Sequence, residues 1–236
     1  MFRAVISAFV MLCLAMAADA QQPTLSWFRY YQLSSTSEAD LVKTARAALD
    51  KLVTDGTVLR WGVLEPVSRV GDPWTHAIYV TVADWKAIGP ITTALDAAGP
   101  TGAEHAHDAV VRHLLQSATP PVANPKYVLV NYHPVIRGRD ADAIALFNEW
   151  ARPALEKTTA GGKVGPWILS SQTAIFDNRW TFMLWYFMSD TSALDEVSGE
   201  LIKMGFSQLA TFERRVREMS EDDYVAQLLR VVHSVP

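Results

Sequence analysis

The chain has 236 residues, with 21 Lys and Arg against 25 Asp and Glu, a formal net charge of −4. So mild and dispersed an acidic excess argues against nucleic acid or an anionic membrane surface as a partner. The single cysteine, Cys13, lies in a leader expected to be removed, which excludes internal disulfides, thiol catalysis and cysteine-ligated metals from the mature chain.

Residues 1–20 read as a secretory signal peptide. Arg3 supplies a positive charge, the run from Ala4 to Ala18 is almost wholly apolar, and Ala18-Asp19-Ala20 puts small residues before Gln21. The run is too short for a comfortable transmembrane span. The protein is therefore expected to be exported, periplasmic or secreted, and free of the membrane after cleavage. What remains is long enough to bury one large core or two small ones.

The first strand is expected over Trp27–Leu33, rich in aromatic residues. Ser37 is a helix N-cap, followed by the apolar stripe Leu41, Val42, Ala45, Ala48, Leu49 and Leu52, and Asp55-Gly56 ends the helix. Val58–Ser68 and Trp74–Val82 read as strands around a Gly71-Asp72-Pro73 turn. Asp84 starts a second helix, which Gly89-Pro90 resets. Glu104–Gln116 reads as helix, although the pairs Val110-Val111 and Leu114-Leu115 also suit a strand.

A proline-rich linker at 121–125 separates this first unit, residues 25–120, from a second over 126–236. There Tyr127–His133 is expected as strand and Ala141–Lys157 as helix, kinked or restarted at Pro153. Gly161-Gly162 breaks the chain. Ile168–Ile175 and Trp180–Met188 form a strand pair joined through Asp177-Asn178, and helices follow from Ser192 and from Ser220.

The two units overlay. Tyr30, Ala39 and Asp40 recur as Tyr132, Ala141 and Asp142. Trp61, Trp74, Thr75 and Asp84 recur as Trp167, Trp180, Thr181 and Asp190, and Asp108, Val111, Leu114 and Leu115 as Asp222, Val225, Leu228 and Leu229. Two tandem β-α-β-β-α units of α+β class, fused head to tail, account for this pattern. One face of such a small sheet is covered by its own helices, and the other needs a second sheet.

This doubled order resembles the dimeric α+β barrel superfamily, a ferredoxin-like group whose two sheets close into one barrel, over essentially all of residues 25–236. The resemblance implies a monomer containing an intramolecular pseudo-dimer. It also implies a range of activities, since members include cofactor-free monooxygenases, decarboxylases, isomerases, haem enzymes and proteins with no known reaction. Family units usually end in a fourth strand, where this chain reads as helix.

Strand alternation supplies the candidate site. Trp27, Arg29 and Tyr31 share one face of the first strand, and their counterparts Leu129, Asn131 and His133 share one face of the second unit's first strand. If the apolar faces meet the helices, Arg29, Tyr31, Asn131 and His133 converge between the sheets and need partners there. Trp27 and Trp185, which have no counterpart in the repeat, are expected to face a ligand. The paired Trp61/Trp167 and Trp74/Trp180 are expected to be structural.

No motif for a nucleophile elbow, P-loop, dinucleotide fold or zincin is present, and Gly161-Gly162-Lys163-Val164-Gly165 reads as a helix stop. His105 and His107, with Glu104, Asp108 and His113, would share a face on a strand and diverge on a helix. No metal and no cofactor are expected. Two function classes remain. The first is an exported protein binding a small, partly aromatic molecule between its sheets. The second is a cofactor-free enzyme with His133 as acid/base and Arg29 holding an anionic group.

Overall fold

The computed structural model describes residues 24–34, 37–67, 74–100, 102–117, 125–160, 162, 164–174, 181–203, 205–220 and 225–235. The leader, most of the linker, and the turns expected at 71–73 and 177–178 lie outside the described residues.

Strand β1 (Leu25–Leu33) leads into helix α1 (Glu38–Thr54). The Ser37 side chain accepts from the Asp40 N–H at 3.1 Å and so satisfies one of the free amides of the first turn. Leu41, Ala45, Ala48 and Leu49 bury one face, and Gly56, at φ +79, takes the left-handed turn beyond the helix end. Strands β2 (Arg60–Pro66) and β3 (His76–Val82) follow. Asp84 then caps a 3-10 turn at Trp85–Ala87 through the Lys86 N–H, and the turn runs into α2 (Ile88–Ala98).

The next element corrects a sequence expectation. Residues 103–116 form strand β4 (Ala103–Gln116), not a helix. β-branched Val110 and Val111 suit the pleat, and Val110 packs under the helices while Val111 faces the barrel interior. The same correction applies at the tail. The helix expected from Ser220 is instead strand β8 (Val225–Val235). Residues 25–116 and 127–235 thus each contribute four strands.

Between these strands lie β5 (Tyr127–Pro134), α3 (Asp140–Leu146), a π turn at Phe147–Ala151, α4 (Arg152–Ala160), β6 (Val164–Ala174), β7 (Thr181–Met188), α5 (Ala193–Ile202) and α6 (Phe206–Met219). At the π turn the Arg152 N–H reaches back to the Phe147 carbonyl. The wide turn sits just before Pro153, which has no N–H to continue the normal ladder. Among the described residues, no helix is long and apolar enough to cross a membrane.

The strands form one closed barrel in the order β1-β3-β2-β8-β5-β7-β6-β4, with every pairing antiparallel. Within residues 25–116 the order is β4-β1-β3-β2, and within 127–235 it is β8-β5-β7-β6. The two sets meet at β2–β8 and β4–β6. Each of the eight strands thus has a neighbour on both sides.

Three cores result. Phe28, Leu64, Tyr79, Val128, Val130, Met183 and Trp185 fill the barrel. Leu25, Trp27, Trp61, Ile78 and Val80 pack outside it against α1 and α2. Trp167, Leu169, Phe182, Leu184, Tyr186 and Met188 form the outer core of the second half. Trp61 and Trp167 are both 0 % exposed and both lie beneath helices. The His76 ring is buried on the outer face of β3, with Thr75 Oγ1 at 3.1 Å from Nδ1.

Candidate ligand cleft

The sequence-predicted site residues do not converge. Arg29 and Tyr31 sit on the outer face of β1, under the helices of the first half, and Asn131 and His133 sit on the outer face of β5, under those of the second. The face assignment is therefore the reverse of the expected one. A closed eight-stranded barrel has an interior just wide enough to be filled by side chains. Here Phe28 and Tyr30 of β1 and Val128, Val130 and Tyr132 of β5 take that space, so the opposite faces of these two strands turn outward.

Arg29 illustrates the consequence. It is only 6 % exposed, yet it holds its own counter-charges. Nε and Nη2 donate to the two oxygens of Asp108 at 3.0 and 3.2 Å, and Nη1 donates to Asp96 on α2. The cation also lies 4.9 Å from the centre of the Trp27 ring. Burial alone would disfavour its charge, but the hydrogen bonds to Asp108 and Asp96 hold its pKa above the ordinary value. Arg29 is thus committed to the fold and is not poised to clamp a ligand anion. Trp27, 2 % exposed, is locked beneath it. Burial pushes the Tyr31 phenol up from its usual range. Trp185 points into the barrel, where its indole N–H donates to Ser170 Oγ at 2.8 Å.

Asn131 and His133, in contrast, do line open space. A cavity of about 370 Å3 lies between the outer face of β5 and β7 and helices α4, α5 and α6. Its floor is Asn131, His133, Leu184 and Tyr186. Its walls include Leu155, Val197, Leu209, Phe212 and Val216, with Glu213 and Arg217, one turn apart on α6, at the rim. A smaller apolar hollow continues past His133 toward Phe147, Phe182 and Met219. Burial holds the His133 imidazole down to about 4, so it is neutral around pH 7. Burial raises the Tyr186 phenol well above its ordinary range, although its hydrogen bond with Asn131 acts the other way.

The corresponding space in the first half is closed. There Leu41, Ala45, Leu49, Ile91 and Leu95 press onto the sheet and are at most 1 % exposed. In the second half Val197, Leu209, Phe212 and Val216 remain partly exposed, so α5 and α6 stand off from their sheet. The arrangement offers a mainly apolar slot of ligand size, a neutral imidazole and an amide on its floor, and charge of both signs at its mouth.

The other candidate cluster is dispersed. β4 is a strand, but a bulge pairs Tyr30 with His107 and Tyr31 with His105, which turns the two histidines to opposite faces. His107 stacks on Tyr30 at 4.2 Å between ring centres, and His105 Nε2 lies 2.9 Å from Asp108. His113 is buried inside the barrel between Thr24 and Ser26. A cluster without sequence signal gathers Glu38, Glu65 and His76, whose ligand atoms lie within 4.8 Å of one another. Arg230 donates to both carboxylates at 2.5 Å and supplies their counter-charge across the β2–β8 seam.

No family model matches the sequence, and no curated protein matches it. Solved structures do match the fold. A candidate monooxygenase from Fusobacterium nucleatum superposes with a TM-score of 0.65 at 13% identity, covering 91% of this chain and 94% of that one. A haem-binding protein from Thermus thermophilus gives 0.55 at 13%, covering 90% and 92%. An anthrone oxidase-like protein gives 0.54 at 11%, covering 92% and 94%. At such identities the likeness establishes the fold alone, a closed barrel of α+β class. Both halves of the barrel come from a single chain.

Proposed function

We propose that this is an exported protein which binds a small, largely apolar and partly aromatic molecule in the cleft over β5 and β7. The observation that carries this reading is the asymmetry between the halves. One set of helices seals its sheet, while the other leaves a cavity of about 370 Å3 above Asn131 and His133. A tandem duplication of one ferredoxin-like unit explains the asymmetry. Packing the first copy shut preserves the barrel, and the second copy is then free to open. Export rests on the leader sequence, and the mature chain is expected to begin at Gln21.

Titration of the mature chain with hemin and with small phenols and aromatic carboxylates, followed by calorimetry, tests the reading. Binding should weaken at least tenfold in Leu184→Trp, which fills the floor, and should be unchanged in Trp27→Phe, on the other half. Equal affinity in both variants would place the ligand elsewhere. Intact mass of the exported protein tests the cleavage site.

One neighbour is a haem-binding protein and others are chlorite dismutases, which makes haem a specific candidate. The cleft residues fit it in kind: His133 is a neutral imidazole that could hold its iron, the walls are apolar, and Arg217 at the rim could meet a propionate. When bound, haem would supply a redox-active iron. A Soret band lost in His133→Ala would support this version of the ligand.

The alternative is a cofactor-free enzyme with His133 as acid/base. A pKa near 4 leaves His133 without a proton to donate at neutral pH and makes it a weak base. Binding is therefore the better supported class. Turnover of a phenolic or lactone substrate, abolished by His133→Ala with affinity retained, would reverse that order.

A further inference from the structure

On the outer face of the first half, where α1 begins, three potential metal ligands gather. Arg230 on β8 pairs with Glu65 on β2, and Leu64 pairs with Ala77, which sets Glu65 beside His76 at the start of β3. Glu38 meets them from the first turn of α1. The donor atoms of Glu38, Glu65 and His76 all lie within 4.8 Å of one another, and His76 Nε2 is 3.6 Å from Glu38 Oε2. One cationic atom already sits between the carboxylates. Arg230 Nη2 donates to Glu38 Oε2 and to Glu65 Oε2, at 2.5 Å in each case.

The hydrogen bonds of Thr75 fix which nitrogen of His76 turns a lone pair toward this group. A hydroxyl has one hydrogen to give and two lone pairs. Thr75 gives its hydrogen to the Tyr31 carbonyl at 3.2 Å and accepts from the Leu33 N–H at 2.9 Å. Toward His76 Nδ1, at 3.1 Å, it can therefore only accept. Nδ1 carries the hydrogen, and in the neutral ring Nε2 presents its lone pair to the two carboxylates. His76 is only 5 % exposed, so the ring is held in that orientation. One nitrogen tied by a hydrogen bond and the other facing carboxylates is the arrangement of a metal-ligating histidine. Three electron-rich donors so close together favour a cation among them, and Arg230 brings one positive charge to two negative ones.

We propose that Glu38, Glu65 and His76 form a binding site for one divalent first-row cation of the zinc class, with Arg230 as its built-in competitor. Two carboxylates and an imidazole, without a thiolate, suit such an ion. Donor atoms bound about 2.0–2.2 Å from a common zinc stand roughly 3.3–3.6 Å apart. The His76–Glu38 pair already meets that spacing, and the flexible Glu65 stem can close the remainder. The Arg230 side chain, 44 % exposed, turns out to water as the ion enters, and a water completes the coordination. The ion would tie the start of α1 to β2 and β3. The site belongs to the half away from the cleft and does not depend on what the cleft binds.

The test is calorimetric titration of the tag-free mature chain, stripped with a chelator, with zinc chloride near neutral pH. Binding of one zinc per chain is expected. Affinity should fall at least tenfold in His76→Ala and in Glu65→Gln, and should fall at mildly acidic pH, where the proton competes for Nε2. It should rise several-fold in Arg230→Met, which removes the competitor, and should be unchanged in His105→Ala. No stoichiometric binding, equal affinity in His76→Ala and the unaltered chain, or weaker binding in a folded Arg230→Met would overturn the proposal. Should His76→Ala fail to fold, crystals of the unaltered protein soaked in zinc decide. An anomalous peak between His76 Nε2 and the two carboxylates is expected, and its absence defeats the proposal.

Discussion

The rings of Phe28 and Trp185 stack inside the barrel with centroids 5.2 Å apart and planes 9° from parallel. Phe28 belongs to the first strand of one half and Trp185 to the third strand of the other, so this contact joins the halves through the core rather than along the seams. Trp185→Ala should cost about 3–5 kcal/mol, a value typical of a large aromatic removed from a packed core. Urea unfolding checks it. Affinity for a cleft ligand should change far less than stability, because the cleft lies on the other side of β7.

Arg29 supports a graded comparison. Asp108 is largely buried and receives two hydrogen bonds from it, whereas the Asp96 side chain is 67 % exposed. Asp108→Ala should destabilise by about 3 kcal/mol, because it strands a buried cation. Asp96→Ala should cost less than about 1 kcal/mol, since solvent screens that pair. Denaturant midpoints of the two variants, measured in parallel, give the ratio.

Gly62 faces the barrel interior opposite Tyr79. An added Cβ would meet the His233 carbonyl oxygen at 2.4 Å and the Tyr79 ring at 2.5 Å. Gly62→Ala should therefore lower stability by about 1–3 kcal/mol through overpacking at the β2–β8 seam. Gly199, inside α5, has open space around its Cβ position. Gly199→Ala should raise stability by about 0.5–1 kcal/mol through helix propensity. Differential scanning calorimetry should give shifts of opposite sign.

Acid sensitivity follows from His113 and His133, both lowered from 6.5 to about 4 by burial. Between these values the unfolded chain binds protons that the folded chain does not, so stability falls as pH falls. The contribution is fully present above about pH 6.5 and is lost progressively toward pH 4. The loss is on the order of 3 kcal/mol for each group if the shifts are fully expressed. His133→Leu should flatten the profile of urea midpoints between about pH 4 and 7. A slope identical to that of the unaltered chain would show that His133 titrates normally.

Much of the architecture was legible in the residues themselves. Ser37 with its following stripe marked the first helix, and the recurrence of Trp61 as Trp167 placed two residues that are equally buried in their half-cores. These features depend on local periodicity and on the environment each residue type needs. The fourth strand of each unit was not legible. Residues 103–116 carry both helical and strand patterns, and only pairing with β1 on one side and β6 on the other selects the strand.

The candidate site turned on a choice that alternation leaves open. A period of two separates Arg29 and Tyr31 from Phe28 and Tyr30 but does not say which face looks inward. Barrel closure decides it. A narrow interior takes the large apolar rings, and the polar face finds Asp96 and Asp108 outside. Nor can alternation reveal that one half packs shut while the other opens above His133, because helix-to-sheet distance depends on how α5 and α6 seat against side chains far away in the chain. The residues by themselves determined most of the elements and the two faces of each strand. The tertiary structure alone decided which face is the core and where a ligand has room.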